Sequence, residues 1–225
     1  MKVVQRLQSD DGATKFLLEL DDGSRVEAVF LVLDEAGKDS LCISSQVGCA
    51  LKCAFCSTGA LGYKRNMTAA EIVTEVRTVL ADLDFTPRRR FDISFMGMGE
   101  PLQNLGAVLS AKEALSSDSP DFQFHLSTVG LVPKIRELGR RAPDVALQIS
   151  LHAADDETRS KFMPINDLYP IRELLDAAED YQQASPHLVT LQYCLLEGVN
   201  DSIEDAYKFR DLVVGRGFKV RIVNF

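Results

Sequence analysis

The 225-residue sequence contains no run of apolar residues long enough to cross a bilayer as a helix, which excludes a helical membrane protein. Its first residues, Met1-Lys2-Val3-Val4-Gln5-Arg6, lack the apolar core of a signal peptide. It shows no internal repeat, low-complexity tract or linker. A disulfide framework is missing too: five cysteines, three of them clustered, do not staple a chain of this length. A reducing cytoplasm is the expected compartment. The sequence also lacks a basic excess, with 25 Lys and Arg against 33 Asp and Glu and a formal net charge of −8. Proteins that grip RNA without regard to sequence show a basic face, so a large nucleic-acid footprint on this segment is not expected. One basic cluster, Arg88-Arg89-Arg90, could form a local rim against phosphate; the alternative is a solvated loop before a strand.

What is present suits one domain, or one domain with a small appendage. Hydrophobic residues make up 46% and charged residues 26%, ordinary values that allow a sizeable core. Residues 14–20 and 25–33 are rich in strand formers and flank Asp21-Asp22-Gly23-Ser24, which predicts a β-hairpin. Leu41 to Ser44 reads as a short buried strand. Thr68-Ala69-Ala70-Glu71 is a capping box, followed by Ile72, Val73, Val76, Val79, Leu80 and Leu83 at helical spacing. Strands are then predicted at 91–96, 122–127, 145–151, 188–195 and 218–223. Helices are predicted at 107–115, 134–141, from Pro170 onward, and at 202–214. Pro170 is expected at the first helical position, where its missing N–H costs little. Strand and helix alternate about six times, which implies a parallel sheet with crossover helices. The expected fold is α/β, a partial (β/α)6 TIM-like barrel over residues 37–225, with residues 1–36 as an N-terminal β-hairpin extension. Chemistry in such folds gathers at the C-terminal ends of the strands.

The stretch after the first of these strands carries Cys49, Cys53 and Cys56, with three residues between the first two and two between the last two. Three thiols on one short loop can face one point. A closed zinc site usually takes four protein ligands, so a zinc knuckle with a distant fourth ligand is open, as are three unrelated buried cysteines. A cubane iron–sulfur cluster held by only three thiolates keeps one iron free for a substrate.

Other strand ends are distinctive. Met96-Gly97-Met98-Gly99-Glu100-Pro101 offers two glycines that let backbone approach a ligand, and a carboxylate that can accept from an ammonium; a plain turn is the alternative. Ser127 closes another strand, and could instead cap the following helix. Ser150-Leu151-His152 closes the next, where a histidine is commonly a structural hydrogen-bonder.

The cysteine spacing, with Phe55 just before the third thiol, resembles the signature of the radical S-adenosylmethionine enzymes. With Ser44-Ser45-Gln46-Val47-Gly48, Cys56-Ser57-Thr58-Gly59, Met96 to Pro101, Leu126-Ser127-Thr128 and Ser150-Leu151-His152-Ala153, the match narrows to the RNA adenine C2-methyltransferases of the RlmN and Cfr type. This resemblance implies a 4Fe-4S cluster on Cys49, Cys53 and Cys56, and S-adenosylmethionine as second cofactor. Phe55 would pack near its adenine, Gly99 and Glu100 would hold its amino group, and Ser127, Ser150, Leu151 and His152 would line its pocket. Glu27 matches the family's proposed general base; a solvated hairpin residue is the alternative. Cys42 matches the cysteine that resolves the covalent enzyme–RNA intermediate; a small core residue is the alternative. The implied substrates are adenines of 23S ribosomal RNA and transfer RNA. A flavodoxin or ferredoxin would donate electrons, no membrane is involved, and a monomer is expected.

The family's methyl-carrying cysteine and its N-terminal accessory domain have no counterpart in these 225 residues. Cys194 sits inside a predicted strand and reads as core. A fragment of a longer enzyme, or a shortened relative with altered activity, is therefore expected. A radical enzyme with another substrate and a non-enzymatic zinc module remain as alternatives.

Overall fold

The computed structural model describes residues 1–32, 39–86 and 90–224. Arg88, Arg89 and the expected boundary between residues 36 and 37 lie outside them. In chain order the elements are β1 (Lys2–Gln8), β2 (Thr14–Glu19), β3 (Arg25–Val32), β4 (Asp39–Cys42), β5 (Gln46–Gly48), α1 (Ser57–Ala60), β6 (Tyr63–Asn66), α2 (Ala69–Asp82), β7 (Phe91–Phe95) and α3 (Leu105–Asp118). They continue with β8 (Phe122–Thr128), α4 (Val132–Arg141), β9 (Ala146–Ser150), α5 (Asp156–Phe162), α6 (Ile171–Ala184), β10 (Thr190–Leu195), α7 (Ile203–Val213) and β11 (Lys219–Asn224). Two compact units form: residues 1–50 with 61–126, and residues 51–60 with 127–225.

In the first unit, β1, β2, β3 and β4 pair antiparallel in order, and β4, β7 and β8 pair parallel. The predicted hairpin is present, with Leu17 opposite Glu27, and β1 adds a third strand that the sequence reading did not contain. Strand alternation sorts the side chains. Phe16, Leu18, Val26, Ala28 and Phe30 are buried, while Lys15, Leu17, Glu27 and Val29 take the other face. The β1 segment has no buried face, so it carries no such alternation and shows only through its partner. A second small pairing, β5 with β6, was also not expected. The capping box forms as predicted: Glu71 N–H donates to Thr68 Oγ1 at 3.2 Å, and Thr68 N–H donates to Glu71 Oε2 at 2.8 Å. Behind it, α2 buries Ile72, Val73, Val76 and Val79, and with them Glu75.

In the second unit, β9, β10 and β11 run parallel. The α/β class read from strand–helix alternation holds in both units. The α6 apolar face buries Ile171, Leu174, Leu175, Ala178 and Tyr181 as predicted. Pro170 is not the first helical residue: its extended backbone (ψ 157°) makes it the N-cap, and Ile171 starts the helix. The helix α5 was not read from the sequence, although Asp155 caps it by accepting from Thr158 N–H at 2.8 Å. Among the described residues, no helix is long and apolar enough to cross a membrane.

Candidate functional site

The first unit carries Glu27, Cys42, Cys49, Gly99 and Glu100. Cys42 ends β4 and pairs with Val29 of β3 and Ser94 of β7. Cross-strand partners share a sheet face, as do residues two apart on one strand. Glu27, Val29 and Cys42 therefore lie on one face of the β3–β4 pair. The Glu27 carboxylate meets Lys15 Nζ at 2.8 Å and is partly exposed. Burial pushes the Cys42 thiol up to about 12.

Residues 43–46 join these groups to the turn after β7. Ser44 Oγ donates to the Glu27 carbonyl at 2.7 Å and accepts from Met98 N–H at 3.0 Å. Ser45 N–H donates to the Met98 carbonyl at 2.8 Å. Glu100 N–H donates to Gln46 Oε1 at 2.8 Å, and the buried Glu100 carboxylate accepts from Leu102 N–H at 3.0 Å. The glycines here make close contacts within the chain. A Cβ on Gly97 would lie 2.7 Å from the Ile43 carbonyl oxygen, and one on Gly99 (φ +100°) would lie 2.5 Å from Gln46 Cβ. They admit the chain's own segment, so close approach of a ligand is not needed to account for them. Gly48 (φ +78°) is more constrained, since a Cβ would overlap the Gly62 carbonyl. That same carbonyl accepts from Cys49 N–H at 2.9 Å, which fixes the first cysteine.

The second unit carries Cys53, Phe55, Cys56, Ser127, Ser150, Leu151 and His152. Cys53 packs with Ala153, Phe162, Met163 and Ile165, and Phe55 and Cys56 lie against this group. Ala54 N–H donates to the Phe162 carbonyl at 2.9 Å, and Cys56 N–H to the Cys53 carbonyl at 3.0 Å. The Phe55 ring stands edge-on to His152 at 5.2 Å and to Phe162 at 5.9 Å. Ser127 and Ser150 are brought together, with their hydroxyl oxygens 3.4 Å apart. The capping alternative for Ser127 fails: it lies inside β8, and α4 starts after Leu131 with no side-chain cap. His152 adopts a left-handed backbone (φ +57°) and accepts from Cys194 N–H on Nδ1 at 3.0 Å. Burial, with the Arg159 charge behind it, pulls His152 down to about 4, so it is neutral near pH 7.

Sequence reasoning missed two buried charged side chains beside these groups. Glu75 is fully buried, and both carboxylate oxygens accept from Ser44 N–H, at 3.1 and 3.3 Å. Arg159 is fully buried on α5 and donates to the carbonyls of Leu151, Val129 and Ser150 at 3.0, 2.6 and 3.1 Å, and to Asn166 Oδ1 at 3.0 Å. The residues within each unit are therefore held by a dense polar frame.

No cysteine among the described residues takes part in a disulfide. Among the described residues, no group of three His, Cys, Asp or Glu is gathered as a single metal ion requires. The donor set of Cys49, Cys53 and Cys56, all thiol sulfurs, fits the ligand chemistry of an iron–sulfur cluster.

Comparison with known proteins bears on the same residues. The family model of the radical SAM superfamily matches residues 43–210. A dual-specificity RNA methyltransferase RlmN of Syntrophobacter fumaroxidans is 44% identical over all of this chain and 66% of its own length. One from a Sulfurovum species is 42% identical over all of this chain and 67% of its length. The crystal structure of a radical SAM methyltransferase from Sphaerobacter thermophilus superposes with TM-score 0.89 at 37% identity, over 98% of this chain and 66% of that one. The chain spans 66%, 61% and 58% of the length of three curated relatives it matches.

Proposed function

This chain belongs to the radical S-adenosylmethionine superfamily and, within it, to the RlmN family of RNA methyltransferases, and on that premise we propose that it takes part in methylating C2 of an adenine in RNA. Cys49, Cys53 and Cys56 would hold a 4Fe-4S cluster, and Gly99, Glu100, Ser127, Ser150, Leu151 and His152, with Phe55, would bind S-adenosylmethionine. Bound together, the two cofactors supply a carbon radical strong enough to act at C2, a ring position with no useful nucleophilicity of its own.

The observation that carries this reading is the shared face of Glu27 and Cys42 on the β3–β4 pair. Glu27, partly exposed on that face, serves as the base that removes the ring hydrogen as a proton. Cys42 serves as the thiol that releases product. Its thiolate attacks the sulfur of the methyl-carrying cysteine that the family's chemistry requires. The disulfide forms as that sulfur's bond to the transferred carbon breaks, and the electron pair left on the carbon takes up a proton. The buried Cys42 thiol must lose its proton for that step, and burial opposes it. The substrates proposed are 23S ribosomal RNA and transfer RNA, with an external flavodoxin or ferredoxin as electron donor, a cytoplasmic location and a monomeric state.

Anaerobic reconstitution with iron and sulfide, then reduction in the presence of S-adenosylmethionine, should yield 5′-deoxyadenosine. Mass spectrometry of ribosomal or transfer RNA treated with the full-length enzyme should then show 2-methyladenosine. A verified cluster that releases no 5′-deoxyadenosine would overturn the cofactor assignment. Turnover without 2-methyladenosine would overturn the substrate.

A further inference from the structure

Arg159 is a fully buried cation surrounded by neutral acceptors. Its four hydrogen bonds end on three backbone carbonyls and one side-chain amide, and among the described residues no carboxylate forms a salt bridge with it. Guanidinium has five N–H donors and does not shed its proton in proteins. An isolated buried charge is costly unless an opposite charge compensates it. The four hydrogen-bond acceptors are neutral, so balance for this charge has to come from groups that do not hydrogen-bond to it.

Two sets of contacts tie Arg159 to the residues packed around one cysteine. On α5, Arg159 lies three residues before Phe162, the spacing of one helix face, and Met163 follows as the C-cap, its N–H donating to the Arg159 carbonyl at 2.8 Å. Those two residues pack against Cys53, and the Phe162 carbonyl takes the N–H of Ala54 next to it. The Arg159 Nη2 also donates to the carbonyl of Val129, and Val129 packs against the same Cys53 group. Burial pulls the guanidinium down to about 10, and the charge of Asp156 acts against this. Asp156 is exposed, and its Oδ1 accepts from Ile171 N–H at 2.8 Å.

We propose that Arg159 is a positioning residue whose buried positive charge compensates the thiolate-bound cluster at Cys53 and raises its reduction potential. This rests on the cofactor reading above. Adding an electron makes the cluster more negative, so a fixed cation nearby favours the reduced state. Removing the cation should favour the oxidised state, without changing the ligand set.

The test is potentiometric titration, followed by electron paramagnetic resonance, of the anaerobically reconstituted protein and its Arg159→Lys and Arg159→Gln variants. With iron per chain equal to wild type, Arg159→Gln should shift the reduction equilibrium at least tenfold toward the oxidised state, about 59 mV for one electron. Arg159→Lys keeps the charge and should retain most of the wild-type potential, even where it lowers thermal stability. Asp156→Asn, at an exposed position, removes the acid that offsets Arg159 and should shift the potential the other way by a smaller amount. A fully loaded Arg159→Gln with wild-type potential would refute the proposal. So would an unchanged Asp156→Asn potential if Arg159→Gln fails to load. Absence of any cluster in the wild type would instead bring down the cofactor reading, and this inference with it.

Discussion

Glu75 in the first unit and Arg159 in the second are both fully buried, both hydrogen-bonded to backbone, and both without a salt bridge among the described residues. Burial acts on them differently. A carboxyl can answer by taking up a proton, and burial raises Glu75 well above the ordinary carboxylate range, with no cation pulling it back. Guanidinium has no such exit at any working pH. Burial thus drives one site toward its neutral form, while the other remains a standing charge. The comparison shows that burial alone does not tell whether a titratable residue contributes charge to its surroundings; the chemistry of its neutral form decides.

The most disruptive way to break that comparison is to remove the charged post. Arg159→Ala strips the hydrogen bonds from the ends of β8 and β9 and leaves several buried carbonyls unpaired, at about 1–3 kcal/mol for each that water cannot reach. A loss of about 3 kcal/mol or more is expected in urea unfolding of the cluster-free protein. A change below about 1 kcal/mol would mean that the strand ends do not depend on this side chain.

Glu75 should behave differently toward its two obvious replacements. Glu75→Ala orphans the Ser44 N–H and opens a cavity under β4, for an expected cost of about 2 kcal/mol. Glu75→Gln keeps the shape and the acceptor and should be tolerated. The pH dependence sharpens this. The folded state holds Glu75 protonated above its unfolded value, so its contribution is fully present at low pH. It is lost as pH rises from the ordinary carboxylate value of 4.5 through the raised folded value. Wild type and Glu75→Gln should thus match near pH 4, and the variant should become the more stable of the two by pH 8. Parallel stability curves across that range would show that Glu75 is ionised in the folded protein.

These two residues also mark where the sequence stopped being legible. The hairpin, the capping box at Thr68 and Glu71, and most strand bounds followed from local periodicity and turn chemistry. The cysteine loop and the Gly97–Glu100 turn stood out as motifs. The tight contacts of those glycines with Ile43 and Gln46, which only the folded chain brings there, were not legible in the motif. Glu75 lies three residues after Ile72 and four before Val79, on the apolar stripe of α2, so a signal for its burial existed. A charged residue is read as solvated unless that stripe is followed through it. Arg159 left less to find. Its helix has seven residues, too few for a periodic pattern to identify it, and its partners are backbone carbonyls with no sequence signature.

The smallest expected stability effect bears most directly on function. Glu27 and Lys15 form an ion pair at 2.8 Å with side chains 41% and 47% exposed. Exposed pairs of this kind contribute about 0–1 kcal/mol. Lys15→Ala and Glu27→Gln should therefore both unfold within about 0.5 kcal/mol of wild type. If Glu27 is only a solvated strand residue, the two variants should also make product alike. If it is the base, Glu27→Gln should leave 5′-deoxyadenosine formation intact yet lose RNA methylation, while Lys15→Ala retains both. The contrast depends on position: Glu27 shares its sheet face with Cys42, and its own carbonyl is tied to the Ser44 hydroxyl. Neither contact involves the Glu27 carboxylate, so only the exposed pair with Lys15 is lost with the charge. Equal methylation by the two variants would return Glu27 to the role of a surface residue and leave the base to be sought elsewhere on that face.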